Sequence, residues 1–316
     1  IMDQMGIKAA DSVDFDAIEK MLAQPAAKED IQLTRLRERQ QEEERVQGLQ
    51  QALREHPNDM ARLELLAVSF KKLERSAELL ELYRRMQKLA PDRPDIAHMI
   101  AALSGQVKPA RASDDYVRKE FDAFAENFDA VLGNWLDYRA PQLVCDAVVR
   151  ALGADAAGLV TIDLGCGTGL AAPLFRKLSR RLDGVDLSSK MVEKAKLRGG
   201  YDALFVDEIG NFLASRRNQY SLAIACDVFC YFGELGVAFH AIAASLKPGG
   251  IFSLTVERQR GEGFVLLPNG RYAHADAFVR AAAHGAGLAL IEETEVTLRT
   301  ELHRPVIGGC YVFRRP

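Results

Sequence analysis

The residues best suited to chemistry sit where apolar runs end in acids. The first run is Val160-Thr161-Ile162-Asp163-Leu164-Gly165-Cys166-Gly167-Thr168-Gly169. A β-branched stretch closing on an acid and three alternating glycines, followed by the amphipathic stretch Leu170 to Leu182, predicts a strand, a tight turn and a helix. Glycines there let the backbone take positive φ and come close to a ligand, while the helix start offers N–H groups to something phosphate-like or zwitterionic. The second run, Leu182-Asp183-Gly184-Val185-Asp186-Leu187, puts Asp186 at the expected tip of the next strand, where a carboxylate can accept both hydroxyls of a ribose. The third, Tyr201 to Glu208, reads as a strand with two acids, Asp207 and Glu208, beyond its tip. The fourth, Tyr220 to Val228, is a buried parallel strand broken only at its carboxyl end by Asp227.

A dinucleotide fingerprint G-x-G-x-x-G would need glycine at 170, where this chain has Leu170. The pattern D-L-G-C-G-T-G, with Asp186 beyond it and L-K-P-G-G at 246–250, resembles instead the class I methyltransferases that use S-adenosylmethionine. That resemblance implies a Rossmann-like α/β fold with a seven-stranded sheet, closed by an antiparallel hairpin near Ala289 to Leu298 and Val306 to Arg314. It implies S-adenosylmethionine as donor and S-adenosylhomocysteine as product. The aminoacyl group would lie over Asp163, Gly165, Cys166, Gly167, Thr168 and Gly169. Asp186, Leu187, Met191, Asp207, Glu208, Asp227 and Val228 would complete the donor site. The segment Tyr116 to Asp129 is similar to the F-D-x-x-A-x-x-F-D helix that covers the donor in many small-molecule methyltransferases, which adds Phe121 and Phe128. Tyr138, just ahead of a helix from Pro141 to Leu152, is expected beside the donor's amino-acid end.

Asp227-Val228-Phe229-Cys230-Tyr231-Phe232-Gly233 lies where the methyl group should emerge, so Phe229, Tyr231 and Phe232 are expected to wall the acceptor and keep water from the sulfonium. Asp227 would orient the acceptor or the donor amine; the alternative is a cap on a helix starting near Glu234. A polar loop, Gly261 to Ala275, carries Arg271-Tyr272-Ala273-His274. His274 is the first candidate for a general base because its ordinary pKa lies near neutrality, with Tyr272 or Glu257 as substitutes; a cap on the helix near Ala275 is its other reading. Arg271 and His274 would recognise an anionic or hydroxylated acceptor.

The 316-residue chain has a formal net charge of -3 and a pI near 6.1, which argues against general affinity for nucleic acid or anionic membranes. The N-P-P-Y and D-P-P-Y signatures of base- and glutamine-directed enzymes are missing. Cys145, Cys166, Cys226, Cys230 and Cys310 are scattered without metal-ligand spacing, so no metal is expected and the thiols read as reduced, in the cytoplasm. No apolar run is long enough to span a membrane. The first residue is Ile1, so the native start is expected to lie elsewhere.

Four segments are expected: an N-terminal extension over 1–27, a helical domain over 28–104, a linker over 105–113 and the methyltransferase domain over 114–316. Pro57 and Pro91 stand thirty-four residues apart, the tetratricopeptide period, and Leu63, Leu66, Ala67, Phe70, Leu79 and Tyr83 fall where that motif packs its helix pair. The helical domain would serve as lid, as dimer or protein-binding element, or as a grip on a peptide, and would contribute little to donor affinity. Three functions follow: methylation of a small molecule, methylation of a protein or peptide held by the repeats, and donor binding without turnover.

Overall fold

In the computed structural model the described residues are 25–126, 128–129, 138–153, 156–301 and 304–316, so residues 1–24 of the expected 1–27 extension and part of the segment before Tyr138 lie outside them. The chain divides into two compact units, Ile1–Leu89 and Ala90–Pro316.

Among the described residues the first unit contains three helices, α1 (Pro25–Glu55), α2 (Met60–Lys72) and α3 (Ser76–Leu89). Asp59 caps α2 by accepting the Arg62 N–H, and the buried face is made by Leu63, Leu66, Ala67, Phe70, Leu79, Tyr83 and Met86. The charged face of α1 is used as well: Glu42 accepts from Ser69 Oγ at 2.6 Å and pairs with Lys72 at 3.0 Å.

The second unit begins earlier than the sequence suggests. Helix α4 (Pro94–Ser104), expected with the helical domain, packs on α5 (Asp114–Phe124) in this unit. Then come α6 (Ala140–Leu152), β1 (Leu159–Leu164), α7 (Ala172–Phe175), β2 (Ser179–Asp186), α8 (Ser189–Arg198), β3 (Ala203–Val206), α9 (Ile209–Ala214), β4 (Tyr220–Ala225), α10 (Gly236–Ser245), β5 (Leu246–Arg258), β6 (Phe264–Leu266), β7 (Tyr272–His274), α11 (Asp276–Gly285), β8 (Ala289–Glu301) and β9 (Arg304–Arg314). Strands β3, β2, β1, β4 and β5 run parallel in that order, and β9 then joins β5 antiparallel with β8 outside it. This is the Rossmann-like methyltransferase sheet that the motifs implied.

Two expectations need correction. The helix after the glycine turn is a single turn, Ala172–Phe175, because the chain folds back through Leu178 and enters β2 already at Ser179. The polar loop at 261–275 contains the β6–β7 hairpin. Glu257 pairs with Ala273 of β7 and with Gly308 of β9, so β7 must lie on the edge of β5 that β4 occupies lower down.

Alternation along the strands buries both faces of the sheet. Ala223 and Ala225 point, with Phe252 and Leu254, toward Phe212 of α9 and Phe239 of α10, while Leu222 and Ile224 point toward Val144 and Val148 of α6 and Phe175 of α7. The central strands are therefore held by apolar burial on two sides, worth about 25 cal/mol per Å². Their polar carboxyl tips remain free to form a site.

Candidate active site

The carboxyl ends of β1, β2, β3 and β4 open into a cavity of about 560 Å³, roofed by α5. At the turn after β1, the N–H groups of Gly165 and Cys166 donate to Val185 O at 2.8 and 3.0 Å, Gly167 donates to Asp186 Oδ2 at 2.8 Å and Gly169 to Cys166 O at 2.9 Å. Those donors are committed inside the protein, so the turn does not cradle a diphosphate; its lack of side chains creates space instead. Gly165 has φ +68°, and a Cβ there would stand 2.6 Å from Val228 Cγ2.

Asp186 is held by the Gly167 N–H and, at 2.9 Å, by the Ser188 N–H, one on each carboxylate oxygen. The Leu187 N–H contributes a third backbone hydrogen bond, and the residue lines the cavity, where a carboxylate suits a pair of ribose hydroxyls. Asp163 is buried beneath the turn and accepts from Tyr201 Oη at 2.6 Å. Burial, with a smaller contribution from Asp186, pushes its carboxyl up to about 7 against that hydrogen bond. At the β3 tip Glu208 is committed: Oε2 accepts from Asn211 N–H at 2.9 Å, capping α9, and Oε1 accepts from Arg111 Nη1 at 2.9 Å. Among the described residues Asp207 accepts on Oδ1, from the Glu208 N–H at 2.8 Å, which makes it the better fit of the two for an adenine amino group.

Beyond β4, Asp227 takes a left-handed φ of +60°, unusual for a residue with a side chain. It caps no helix, since α10 starts after Leu235. Its carboxylate accepts from Arg299 Nη1 at 3.2 and 3.0 Å. Arg299 is 1% exposed; its Nε reaches Glu301 at 2.7 Å, its Nη2 pairs with Glu257, and Arg271 Nη1 stands 3.3 Å from Glu257. Three carboxylates thus surround two guanidiniums at the acceptor end, and Arg271 is not a free anion receptor.

Of the expected donor residues, Asp163, Gly165, Cys166, Gly167, Thr168, Asp186, Leu187, Asp207, Glu208, Asp227, Val228, Tyr138, Phe121 and Phe128 line the cavity. Tyr138 donates to Cys226 O at 3.2 Å. Gly169 and Met191 do not line it: Gly169 turns the chain against Ala195 and Tyr201, and Met191 is buried at the start of α8. On the acceptor side Tyr231, Phe232 and Arg271 line the cavity, whereas Phe229 is fully buried against Phe239 and Phe252.

None of the three candidate bases lines the cavity: Glu257 is paired with Arg299 and Arg271, and the other two are buried elsewhere. His274 is buried outside the cavity, stacked on Phe278, with Nε2 2.8 Å from Phe232 O and 3.2 Å from Gly233 O; burial pushes its pKa down to about 4. Tyr272 is also buried, its hydroxyl donating to Pro109 O at 3.0 Å, and burial pushes it up to about 12. Both point from β7 into the packing under the hairpin, a direction set by the strand that stands where a loop was expected.

Sequence reasoning missed Arg111, Glu120, Asn269 and Arg299, all of which line the cavity. Arg299 comes from the edge strand β8 and Arg111 from the segment read as a linker; neither sits in a motif, so no local signal marks them.

Residues 136–292 match the family model of a methyltransferase domain. With this sheet and glycine turn, the second unit carries a class I S-adenosylmethionine-dependent methyltransferase domain. The chain is 29% identical over 133 residues to a ubiquinone biosynthesis O-methyltransferase of Nitrobacter winogradskyi, covering 40% of this chain and 51% of that protein. It therefore spans about half the length of that relative. A namesake from Xanthomonas oryzae pv. oryzae is 26% identical over 198 residues, covering 56% of this chain and 81% of the other. Among solved structures, the 1,6-didemethyltoxoflavin-N1-methyltransferase of Burkholderia thailandensis shares the fold at TM-score 0.53 and 17% identity, over 66% of this chain and 92% of that one. The cyclase SpnF does so at TM-score 0.54 and 19% identity, over 66% and 99%. A shared fold does not by itself settle a reaction. Among the described residues no helix is long and apolar enough to cross a membrane, and no acid, histidine and cysteine cluster suits a metal.

Proposed function

We propose that the chain transfers the S-methyl group of S-adenosylmethionine to a small molecule. The observation that carries this reading is the lining of the site: Tyr116, Val117 and Phe121 of α5 line one cavity with Tyr231, Asn269, Arg271 and the donor residues. A space of about 560 Å³ holds the donor and a small acceptor, with little room left for a folded chain. The names of the bacterial relatives, which are O-methyltransferases, support the same class of acceptor.

In this reading Asp186 holds the ribose, Asp207 the adenine amino group and the turn at 165–168 the aminoacyl end. S-adenosylmethionine supplies a sulfonium that is already a strong electrophile, so the protein's part is to desolvate and align the nucleophile. Tyr231 and Phe121, in edge contact at 5.4 Å between ring centroids, exclude water. Arg271 and Asn269 orient the acceptor. Asp227, fixed by Arg299, sets the shape of the wall beside the methyl group. Glu120, which makes no ion pair among the described residues, is the lining carboxylate available to take a proton from a hydroxyl acceptor.

For the helical unit, α2 and α3 are proposed as one tetratricopeptide-like hairpin that engages a second copy or a protein partner. The reaction is tested by incubating the protein with methyl-labelled donor and a cell extract, then separating small molecules from macromolecules. Label among the small molecules is expected. Label in protein would replace this acceptor class by a polypeptide, and no label above a Gly165→Arg control would leave a donor-binding protein without turnover.

A further inference from the structure

The second half of the 105–113 segment is built into the cavity wall. Pro109 O accepts from Tyr272, Ala110 O accepts the N–H groups of Gly233 and Glu234 at 2.9 and 2.7 Å, and the Ala112 N–H donates to Tyr231 O at 2.9 Å. Arg111 thereby forms an antiparallel bridge with Phe232, in the loop that follows β4. Its backbone is held from both sides, so its side chain has a defined direction.

That side chain runs to the β3 tip. The guanidinium carbon lies 5.2 Å from the Phe232 ring centroid, Nη1 is 2.9 Å from Glu208 Oε1, and Asp114 pairs with the same group. Arg111, Asp114, Glu208 and Phe232 all line the cavity, beside Asp207 and Ile209. Asp207 in turn is tied to the β2 tip, its N–H donating to Asp186 O at 3.0 Å. Going outward along the sheet edge, the order is glycine turn, Asp186, Asp207, then Glu208 with Arg111.

We infer that Arg111 is a donor-binding residue, its guanidinium forming the wall on which the adenine of S-adenosylmethionine rests. This depends on the donor orientation proposed above, with ribose at Asp186 and adenine at Asp207. A guanidinium is flat, weakly hydrated and permanently charged, so it can lie on Phe232 and present a cationic face to a second π system. Covering it with adenine also removes water from the Arg111–Glu208 pair, which strengthens that pair and favours the closed wall. The donor site then includes chain that lies ahead of the family-matched span 136–292.

The test is calorimetry on the full chain with S-adenosylhomocysteine and, separately, adenosine. Arg111→Ala is expected to weaken S-adenosylhomocysteine by about tenfold and adenosine by a similar factor, since the lost contact lies at the nucleoside end. Arg111→Lys keeps a charge beside Glu208 without the flat face and should remain weak; Arg111→Gln should match the alanine variant and replaces it if that variant unfolds. Asp186→Ala is run alongside. If Arg111→Ala binds within about twofold of the parent while Asp186→Ala is weakened, the inference falls and the donor orientation stands. If the lysine variant regains full affinity, charge pairing with Glu208 is sufficient and the adenine contact is wrong. If Asp186→Ala is itself unchanged, the donor orientation fails and takes the inference with it.

Discussion

Arg299 and Asp227, seventy-two residues apart, meet as a buried ion pair with Arg299 Nη1 at 3.2 and 3.0 Å from the two carboxylate oxygens. One residue lies near the end of the edge strand β8 and the other turns the chain just after β4. The pair holds Asp227 in its left-handed conformation and leaves Glu257 and Glu301 sharing the same cation. Buried pairs of this kind give little net stability against apolar substitutes, but breaking one is expensive.

Arg299→Met should therefore destabilise the fold by about 3 to 5 kcal/mol at neutral pH, because three carboxylates are left around Arg271 alone. Urea unfolding monitored by circular dichroism measures it. A loss under about 1 kcal/mol would mean that water already reaches these groups.

Asp186→Ala removes the acceptor for two hydroxyls at once and should weaken S-adenosylmethionine binding by about 1.5 to 3 kcal/mol. Tight NADH binding by the parent protein, or unchanged donor affinity in the variant, would contradict this arrangement of the cleft.

Asp163 ties folding to pH. Its carboxyl titrates at about 7 in the folded chain, against an ordinary value of 3.8, because burial opposes the charge. The unfolded chain releases that proton near pH 4 and the folded one does not, so this residue costs progressively more stability as pH rises from about 4 to about 7 and a constant amount above. Asp163→Asn, which can still accept from Tyr201, should raise the melting temperature at pH 8 and leave it nearly unchanged at pH 4. Donor affinity at pH 8, where Asp163 is ionised, should fall in the same variant if the aminoacyl end lies over Asp163 as proposed. A variant that differs from the parent by the same amount at both pH values would show that the carboxyl titrates normally.

His274 shows the opposite sign. Its pKa falls from 6.5 to about 4 through burial, so the unfolded chain takes up a proton near pH 6.5 that the folded chain refuses until about pH 4. Stability drains between those values. His274→Gln should flatten that decline without shifting the pH profile of methyl transfer; a lost ionisation near neutrality in the rate profile would restore His274 to the chemistry.

Removing everything before Ser113 should lower donor affinity, although the sequence reading expected that loss to be small. The cut deletes Pro109 to Ala112, whose backbone bonds seat Arg111 beside Glu208. Calorimetry on the truncated chain decides it, with equal affinity as the outcome that would free the donor site from this segment.

Much of this protein could be read one residue at a time. Asp163, the alternating glycines, Asp186 and the acids after β3 stand at strand tips, and strand tips are local features: an apolar run ends, a glycine or acid follows, and parallel order brings the tips to one edge. The five parallel strands and the closing hairpin follow from the same periodicity. What stayed hidden depends on contacts between distant segments. Phe229 and Tyr231 are two residues apart in one aromatic run, yet a short 3-10 turn at Phe229–Tyr231 sends one into the core and the other into the cavity. His274 had the ordinary chemistry of a base, and only the β6–β7 hairpin turned it inward, where desolvation removes its charge. Arg299 and Arg111 became site residues because an edge strand and a stretch read as linker run past the carboxyl edge of the sheet. Sequence determined which groups could act; tertiary packing decided which of them face the ligand, because burial and pairing set the charge state and direction of each side chain.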